Sequence, residues 1–130
     1  MLSPLFLSVA LAHAEGASQR IALIAGTNDG GDERVALRYA ESDAESMASV
    51  LEDLGGVSRS NIVLLLGPTK ADLERGFQEL NAKVRAAGAR TEVIIYYSGH
   101  SDEDGLLLGG DQYSYDDLRA QISKMPADVP

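Results

Sequence analysis

The sequence predicts an α/β domain, a three-layer sandwich in which a mainly parallel sheet carries helices on both faces. Three apolar runs, residues 21–26, 61–66 and 93–97, have the length of buried strands. Segments with the apolar spacing of helices separate them. Two successive β-α-β units with right-handed crossovers place the three strands in the order 2-1-3.

Capping sequences mark the start of each helix between these strands. Ser42 begins a Ser-Asp-Ala-Glu capping box, and the apolar stripe that follows it ends at a Gly-Gly pair. Thr69 caps the second helix, with Asp72 three residues further on, and that stripe ends at Gly88. Both helices therefore have a defined start and a defined stop.

The segment after the third strand predicts a small hairpin and a third helix. Residues 102–105 form an acidic turn, and two short strands joined at a Gly-Gly pair follow it, so we expect a hairpin over residues 105–114. Ser114 caps a third helix, which Pro126 ends.

Residues 127–130 resemble the approach to a fourth strand. A sheet that stops at three strands leaves the outer edge of the third strand unpaired, which is an aggregation hazard. We therefore expect residues 20–130 to be an incomplete domain, truncated before the fourth strand. Its partner would be the missing C-terminal part of the same chain, and the 130 residues alone would be poorly soluble.

Composition excludes several functional classes. The 11 basic and 20 acidic residues give a net charge of -9, which repels nucleic acid and anionic membranes, and no local basic stripe offsets it. The absence of cysteine excludes disulfides, thiolate metal sites and thiol nucleophiles from these residues. No apolar run is long enough to span a bilayer.

The first 14 residues have the character of a secretory signal peptide. An apolar stretch, residues 4–11, precedes Ala12-His13-Ala14, which offers small residues at both specificity positions of a signal peptidase. No lysine or arginine precedes the stretch, so an N-terminal arm of a cytoplasmic protein is the alternative. We expect export to the periplasm or the exterior, and we assign His13 no chemistry.

His100 carries the functional interpretation. It follows the third strand after Ser98 and Gly99, and open α/β sheets place their sites at the carboxyl ends of central strands. A histidine there is a candidate general base; the alternative is a histidine with satisfied hydrogen bonds in a turn. We expect His100 to be partly exposed on the rim of a crevice, between the 27–41 loop and the predicted hairpin.

Residues 20–125 resemble the caspase-like cysteine peptidases, and within them the bacterial, metacaspase-like branch. Residues 21–28 match the family's first strand and its polar turn, and the Asp43-Ala44 pair matches the start of its first helix. The family's third strand ends in Tyr-Ser-Gly-His-Gly, and residues 97–101 read Tyr-Ser-Gly-His-Ser. The resemblance implies a caspase-like fold and a peptidase that uses a histidine and a cysteine.

The resemblance implies that His100 is one half of a catalytic pair. The family's nucleophilic cysteine lies in an Asp-x-Cys segment at the end of a fourth strand, just past the third helix, and this sequence stops before such a segment. The thiolate would attack the peptide carbonyl while the imidazole gives a proton to the leaving amine. We expect the 130 residues alone to be inactive, and the longer chain to be an endopeptidase acting on peptide or protein substrates.

Four neighbours of His100 complete the site that the resemblance implies. The backbone N–H after the histidine would hold the oxyanion; the family has glycine there and this chain has Ser101, with Gly99 on the other side of the histidine. Asp43 and Ser98 would line the pocket for the residue before the scissile bond, where a carboxylate selects arginine or lysine. Asp43 has a second interpretation, because an acidic residue in the first turn stabilises a helix.

No cofactor is predicted. Residues 26–31 follow a strand but match neither Gly-x-Gly-x-x-Gly nor a P-loop, which argues against nucleotide binding. Asp102, Glu103 and Asp104 could coordinate calcium, but consecutive residues in a turn seldom supply the roughly six oxygens that calcium needs. A solvated acidic turn is the preferred interpretation, and no metal site is assigned.

Three functional classes stay open. The first is a cysteine endopeptidase of which this sequence is the histidine-bearing part. The second is a caspase-like fold used as a noncatalytic interaction module, and the third is an unrelated flavodoxin-like binding domain. A strand ending in Asp-x-Cys beyond residue 130 would support the peptidase, and a different residue at the cysteine position would support the module.

Overall fold

The computed structural model describes residues 19–87 and 90–125, together with the backbone of residues 5–9. In chain order the elements are β1 Leu5–Val9, β2 Gln19–Gly26, α1 Ala40–Asp53, β3 Ile62–Leu66, α2 Lys70–Ala87, β4 Thr91–Ser98, β5 Gly105–Leu108, β6 Asp111–Ser114 and α3 Tyr115–Ser123. In this described part of the chain, no helix combines the length and the apolar character that crossing a membrane requires.

The main sheet has the strand order β1-β4-β2-β3. β2 pairs in parallel with β3, with Ala22 opposite Ile62, and in parallel with β4, with Ile21 opposite Val93. The predicted strands 1, 2 and 3 are β2, β3 and β4, so the predicted 2-1-3 order of parallel strands is confirmed. β4 is a central strand, with β1 on one side and β2 on the other. It runs over Thr91–Ser98, longer at both ends than the apolar run from which it was predicted.

β1 covers the outer edge of β4. It runs antiparallel to β4, with Leu5 opposite Tyr97 and Val9 opposite Val93. The prediction that this edge is unpaired is wrong: a row of free N–H and C=O groups accepts any strand of suitable length, and the N-terminal residues supply one. β1 falls inside the predicted signal peptide, whose residues 1–4 and 10–14 lie outside the described part of the chain.

Helices cover both faces of the sheet, as predicted. Because side chains alternate along a strand, β2 feeds two separate cores. Leu23 packs with Phe77 of α2 in the larger core, which the hairpin and α3 also join. Ile24 packs with Ala48 of α1 in the smaller core on the opposite face. The chain leaves β2 toward α1 on one face of the sheet and leaves β4 toward α3 on the other face. The carboxyl ends of β2 and β4 therefore flank the topological switch point of the sheet.

α1 begins earlier than predicted, at Ala40, and Ser42 is not its cap. Asn28, just after β2, supplies the capping contact: the Glu41 N–H donates to Asn28 Oδ1 at 3.1 Å, and the Asn28 N–H donates to a Glu41 carboxylate oxygen at 3.3 Å. The Ser42 hydroxyl donates to the Tyr39 carbonyl instead. A partner 13 residues away in the chain thus replaces the local capping box.

The two other predicted caps are confirmed. At the start of α2 the Thr69 N–H donates to Asp72 Oδ2, and the Asp72 N–H donates to Thr69 Oγ1, both at 3.0 Å. The Thr69 N–H lowers the pKa of the Asp72 carboxyl. At the start of α3 the Ser114 hydroxyl accepts from the Asp117 N–H at 3.0 Å. The predicted stop of α2 at Gly88 lies outside the described residues.

Candidate active site

His100 lies two residues beyond the end of β4, at the carboxyl edge of the parallel strands. The loop between β2 and α1 lies against one side of it. The hairpin holds its backbone, because the Leu107 N–H donates to the His100 carbonyl at 3.0 Å. The hairpin formed by β5 and β6 was predicted, and its antiparallel register, with Gly105 opposite Ser114, confirms it. The predicted neighbourhood of His100 is therefore correct.

The prediction that His100 is partly exposed is wrong. Its residue surface is only 1% accessible, because the backbone of the loop before α1 lies against the imidazole. A Cβ built on Gly30 would lie 2.3 Å from His100 Cδ2, so the loop can approach this closely only where it carries a glycine. The length of the loop is evident from the sequence, but its contact with a residue 70 positions later in the chain is not.

The imidazole of His100 is held by one of its two nitrogens. Nε2 lies 2.7 Å from the carbonyl oxygen of Val35, in the same loop, while the Val35 side chain faces solvent. A carbonyl only accepts hydrogen bonds, so Nε2 carries the proton in the neutral ring. Nδ1 then presents a lone pair, and it is buried without a hydrogen-bond partner among the described residues. The site thus holds a fixed ring with one nitrogen free to take a proton.

The residues flanking His100 are also packed against the loop. Ser98 is 2% exposed, and its carbonyl accepts from the Thr27 N–H at 3.0 Å. A Cβ at Gly99 would lie 2.9 Å from the Thr27 methyl carbon, so this position also needs a glycine. Ser101 is half-buried and forms an isolated antiparallel bridge with Leu106. The structure therefore brings Ser98, Gly99, His100 and Ser101 into one turn.

Asp43 belongs to α1 and not to this turn. It is exposed in the first turn of α1, where its N–H donates to the Tyr39 carbonyl at 2.7 Å. In the described part of the chain no hydrogen bond joins Asp43 to Ser98 or to His100. Its position fits the helix-stabilising interpretation. The pocket role that the resemblance implies stays a prediction.

A cleft of about 500 Å³ opens over the carboxyl ends of β2 and β3, beside the histidine. Asp29, Glu41 and Asp111 give it an acidic lining. His100 does not line this cleft, because the loop segment that contains Asp29 and Gly30 lies between them. This cleft is not the crevice that was expected between the carboxyl ends of β2 and β4, and His100 does not lie on its rim.

The acidic turn after His100 is closed by its own hydrogen bonds. Asp102 Oδ1 accepts from the backbone N–H of Asp104 at 2.8 Å, from that of Gly105 at 3.0 Å, and from Gln112 Nε2 at 3.1 Å. The Asp104 N–H is the main cause of the lowered pKa of the Asp102 carboxyl. These contacts give the acidic turn a structural role, and across the described residues no three acidic or histidine side chains converge as a metal site would require.

Two residues of the site were missed from the sequence, Gly30 and Val35. The glycines of the loop were a usable signal, since a loop needs them where its backbone approaches another group closely. Val35 acts through its backbone carbonyl, which every residue has, so the identity of this residue could not predict the contact with His100.

The comparisons with known proteins agree with this arrangement. No curated protein matches the chain at a significant level. A family model, described as the caspase domain, matches residues 19–125. That range spans β2 to the end of α3 and includes the turn that carries His100. The chain belongs to the caspase-domain family.

Proposed function

We propose that this domain is the histidine-bearing part of a cysteine endopeptidase. The observation that carries the proposal is the arrangement of His100: Nε2 is hydrogen-bonded to the Val35 carbonyl, and Nδ1 has no hydrogen-bond partner among the described residues. Since these 130 residues contain no cysteine, the nucleophile has to come from chain beyond residue 130. Membership of the caspase-domain family supports that combination.

The imidazole geometry suits a proton carrier. Nδ1 of His100 would accept the proton of the cysteine thiol, and the thiolate sulfur would attack the carbonyl carbon of the peptide. The same proton would pass from Nδ1 to the leaving amine as the C–N bond breaks and a thioester forms. Water would then attack the thioester carbonyl carbon while Nδ1 accepts one of its protons. As the C–S bond breaks, the carboxylic acid would leave and Nδ1 would return that proton to the sulfur, which restores the thiol. While the ring is protonated, its hydrogen bond to the Val35 carbonyl becomes charge-assisted and stabilises it.

Substrate access requires the loop over His100 to move. The ring nitrogen that would exchange protons is buried in the observed arrangement, with Gly30 against the ring. Displacement of the loop backbone would open Nδ1 to a bound peptide while β2 and α1 stay in place. The described structure therefore fits a closed form of the site.

For specificity, we propose cleavage after arginine or lysine. The acidic lining of the cleft and the net charge of -9 both favour a cationic substrate. The exposed carboxylate of Asp43 is free to meet a guanidinium or ammonium group from solvent. Ser98 would help to line the pocket for the residue before the scissile bond. The backbone N–H of Ser101 would help to hold the oxyanion.

A noncatalytic caspase-like module is the second candidate. The burial of the His100 ring favours it, because a module has no need for an accessible base. In that case the free Nδ1 would be a feature of packing alone. The two candidates differ in whether a cysteine beyond residue 130 cooperates with His100.

Hydrolysis of a fluorogenic arginyl peptide tests the proposal. We expect no turnover by the 130-residue chain, and turnover by a chain extended beyond residue 130 through its next cysteine. His100→Ala in the extended chain should lower kcat by about a hundredfold or more, because general acid and base catalysis is worth about that much. Turnover by the short chain that disappears in His100→Ala would contradict cysteine chemistry. No turnover by the extended chain would favour the module, and turnover that is unchanged in His100→Ala would contradict the catalytic role of His100.

The same assay tests the pocket role of Asp43. In the extended chain, Asp43→Ala should lower kcat/KM on arginyl peptides by about ten- to a hundredfold, the worth of one charge-assisted contact. Glu45→Ala is the matched control, since Glu45 is also an exposed acidic residue of α1. Equal losses in the two variants would show that Asp43 acts only through the net charge.

A further inference from the structure

A buried hydroxyl holds the backbone of His100. Tyr97, near the end of β4, is only 3% exposed, and its hydroxyl donates to the His100 carbonyl at 2.7 Å. The Leu107 N–H donates to the same carbonyl at 3.0 Å, so both of its lone pairs are used. The Tyr97 hydroxyl oxygen also lies 3.2 Å from the Leu107 carbonyl. The contact thus ties the strand that delivers the histidine to the hairpin beside it.

The hydroxyl is a constant donor. Burial raises the pKa of the Tyr97 phenol above its ordinary value, so the phenol keeps its proton at neutral pH. A tyrosine packed only for its ring would not need to place its oxygen between two backbone carbonyls. The short distance to the His100 carbonyl makes this the stronger of the two contacts.

The turn between Tyr97 and His100 is built around this hydroxyl. A Cβ at Gly99 would lie 2.5 Å from the Tyr97 hydroxyl oxygen and 2.7 Å from its Cζ. Glycine at this position therefore makes room for the hydroxyl to reach past residue 99 to the next carbonyl. The Tyr-x-Gly-His spacing has a geometric reason in this chain.

We propose that Tyr97 is a positioning residue for His100. The backbone of the histidine is fixed at its carbonyl by Tyr97, and the ring is fixed at Nε2 by the Val35 carbonyl. The two contacts together aim the ring so that Nδ1 stays free. This inference rests on the proposed function, since aiming the ring matters for catalysis only if His100 carries protons. A displacement of about 1 Å is enough to impair such a group.

The test is the nuclear magnetic resonance of the His100 ring in the 130-residue chain. The chain has two histidines, so a His13→Gln background leaves the ring signals of His100 alone. In that background, Tyr97→Phe should speed exchange of the Nε2 proton with solvent by about fivefold, the worth of one hydrogen bond, and should shift both ring nitrogens. The control is Tyr113→Phe, which removes a hydroxyl from the same buried core.

The two variants separate positioning from packing. The Tyr113 hydroxyl is buried without a hydrogen-bond partner among the described residues, so its removal should cost little stability, and only Tyr97→Phe should change the exchange rate and the ring shifts. Unchanged His100 signals in Tyr97→Phe, or equal changes in both variants, would overturn the proposal. These signals do not depend on peptidase activity, so an inactive extended chain would defeat the proposed function and leave the positioning test intact.

A second measurement leaves the ring sizes unchanged and covers the case in which Tyr97→Phe fails to fold. Incorporating 3-fluorotyrosine makes each phenol a stronger donor, and a carbon-13 label on the histidine carbonyl reports on the acceptor. The carbonyl of His100 should shift when the fluorinated tyrosine is present. A carbonyl signal that does not move would overturn the proposal.

Discussion

The start of α2 and the surroundings of His100 are held in opposite ways. Thr69 and Asp72 form two reciprocal hydrogen bonds within four residues of chain, so the start of this helix depends only on local sequence. The imidazole of His100 is held instead by Gly30 and Val35, which lie 70 and 65 residues earlier in the chain. A region of the first kind tolerates changes elsewhere in the molecule. A region of the second kind depends on the whole fold, so distant changes should reach the histidine and leave the start of α2 alone.

Removal of β1 should have the largest effect on the surroundings of His100. Deleting residues 1–14, as the predicted signal peptidase would, takes away the strand that pairs with β4 from Tyr97 to Val93. We expect a lower free energy of unfolding in urea and concentration-dependent association in sedimentation, because the edge of β4 becomes available to other strands. A chain without residues 1–4 is the control. If the longer deletion stays monomeric and keeps its stability, β1 does not protect this edge.

Gly30→Ala should have the next largest effect. The added methyl group would meet the His100 ring, and overpacking of this kind costs about 1–3 kcal/mol. We expect a lower free energy of unfolding and changed His100 ring signals. Gly110→Ala is the matched control, since a Cβ there meets nothing within 4 Å. Equal effects of the two substitutions would show that the loop does not press on the histidine.

The smallest effect is expected at the start of α2, as a pH dependence. The pKa of Asp72 is lowered in the folded state, so its contribution to stability is present above its ordinary range and is lost as the pH falls through the folded value, below about pH 4. Asp72→Asn keeps an acceptor but removes the charge. Its deficit in unfolding free energy, measured at pH 7 and at pH 3, should shrink at the lower pH. The same deficit at both values would contradict the assignment, and the His100 signals should not change at pH 7.

What could be predicted from the sequence follows the same division. The parallel strands, the Thr69 cap and the turn that carries His100 each depend on residues close together in the chain. The covering of His100 depends on Gly30, and the start of α1 depends on Asn28. The loop glycines indicate a close approach of the backbone, but nothing local indicates which distant residue is the partner. The segment over residues 4–11 is apolar in a way that suits a signal peptide and an edge strand equally, so composition alone had no means of choosing between them.

The reciprocal bond between Asn28 and Glu41 has a consequence for how this family member can diversify. It closes the covering loop at its base, and the Leu37 N–H, which donates to the Asn28 carbonyl at 2.6 Å, adds a second closure. A loop clasped in this way can change length or composition between its closures at a small entropic cost, because its ends are already fixed. Evolution can therefore redesign what lies over the histidine, and so the access of different partners to it, without rebuilding the sheet or the helix on either side.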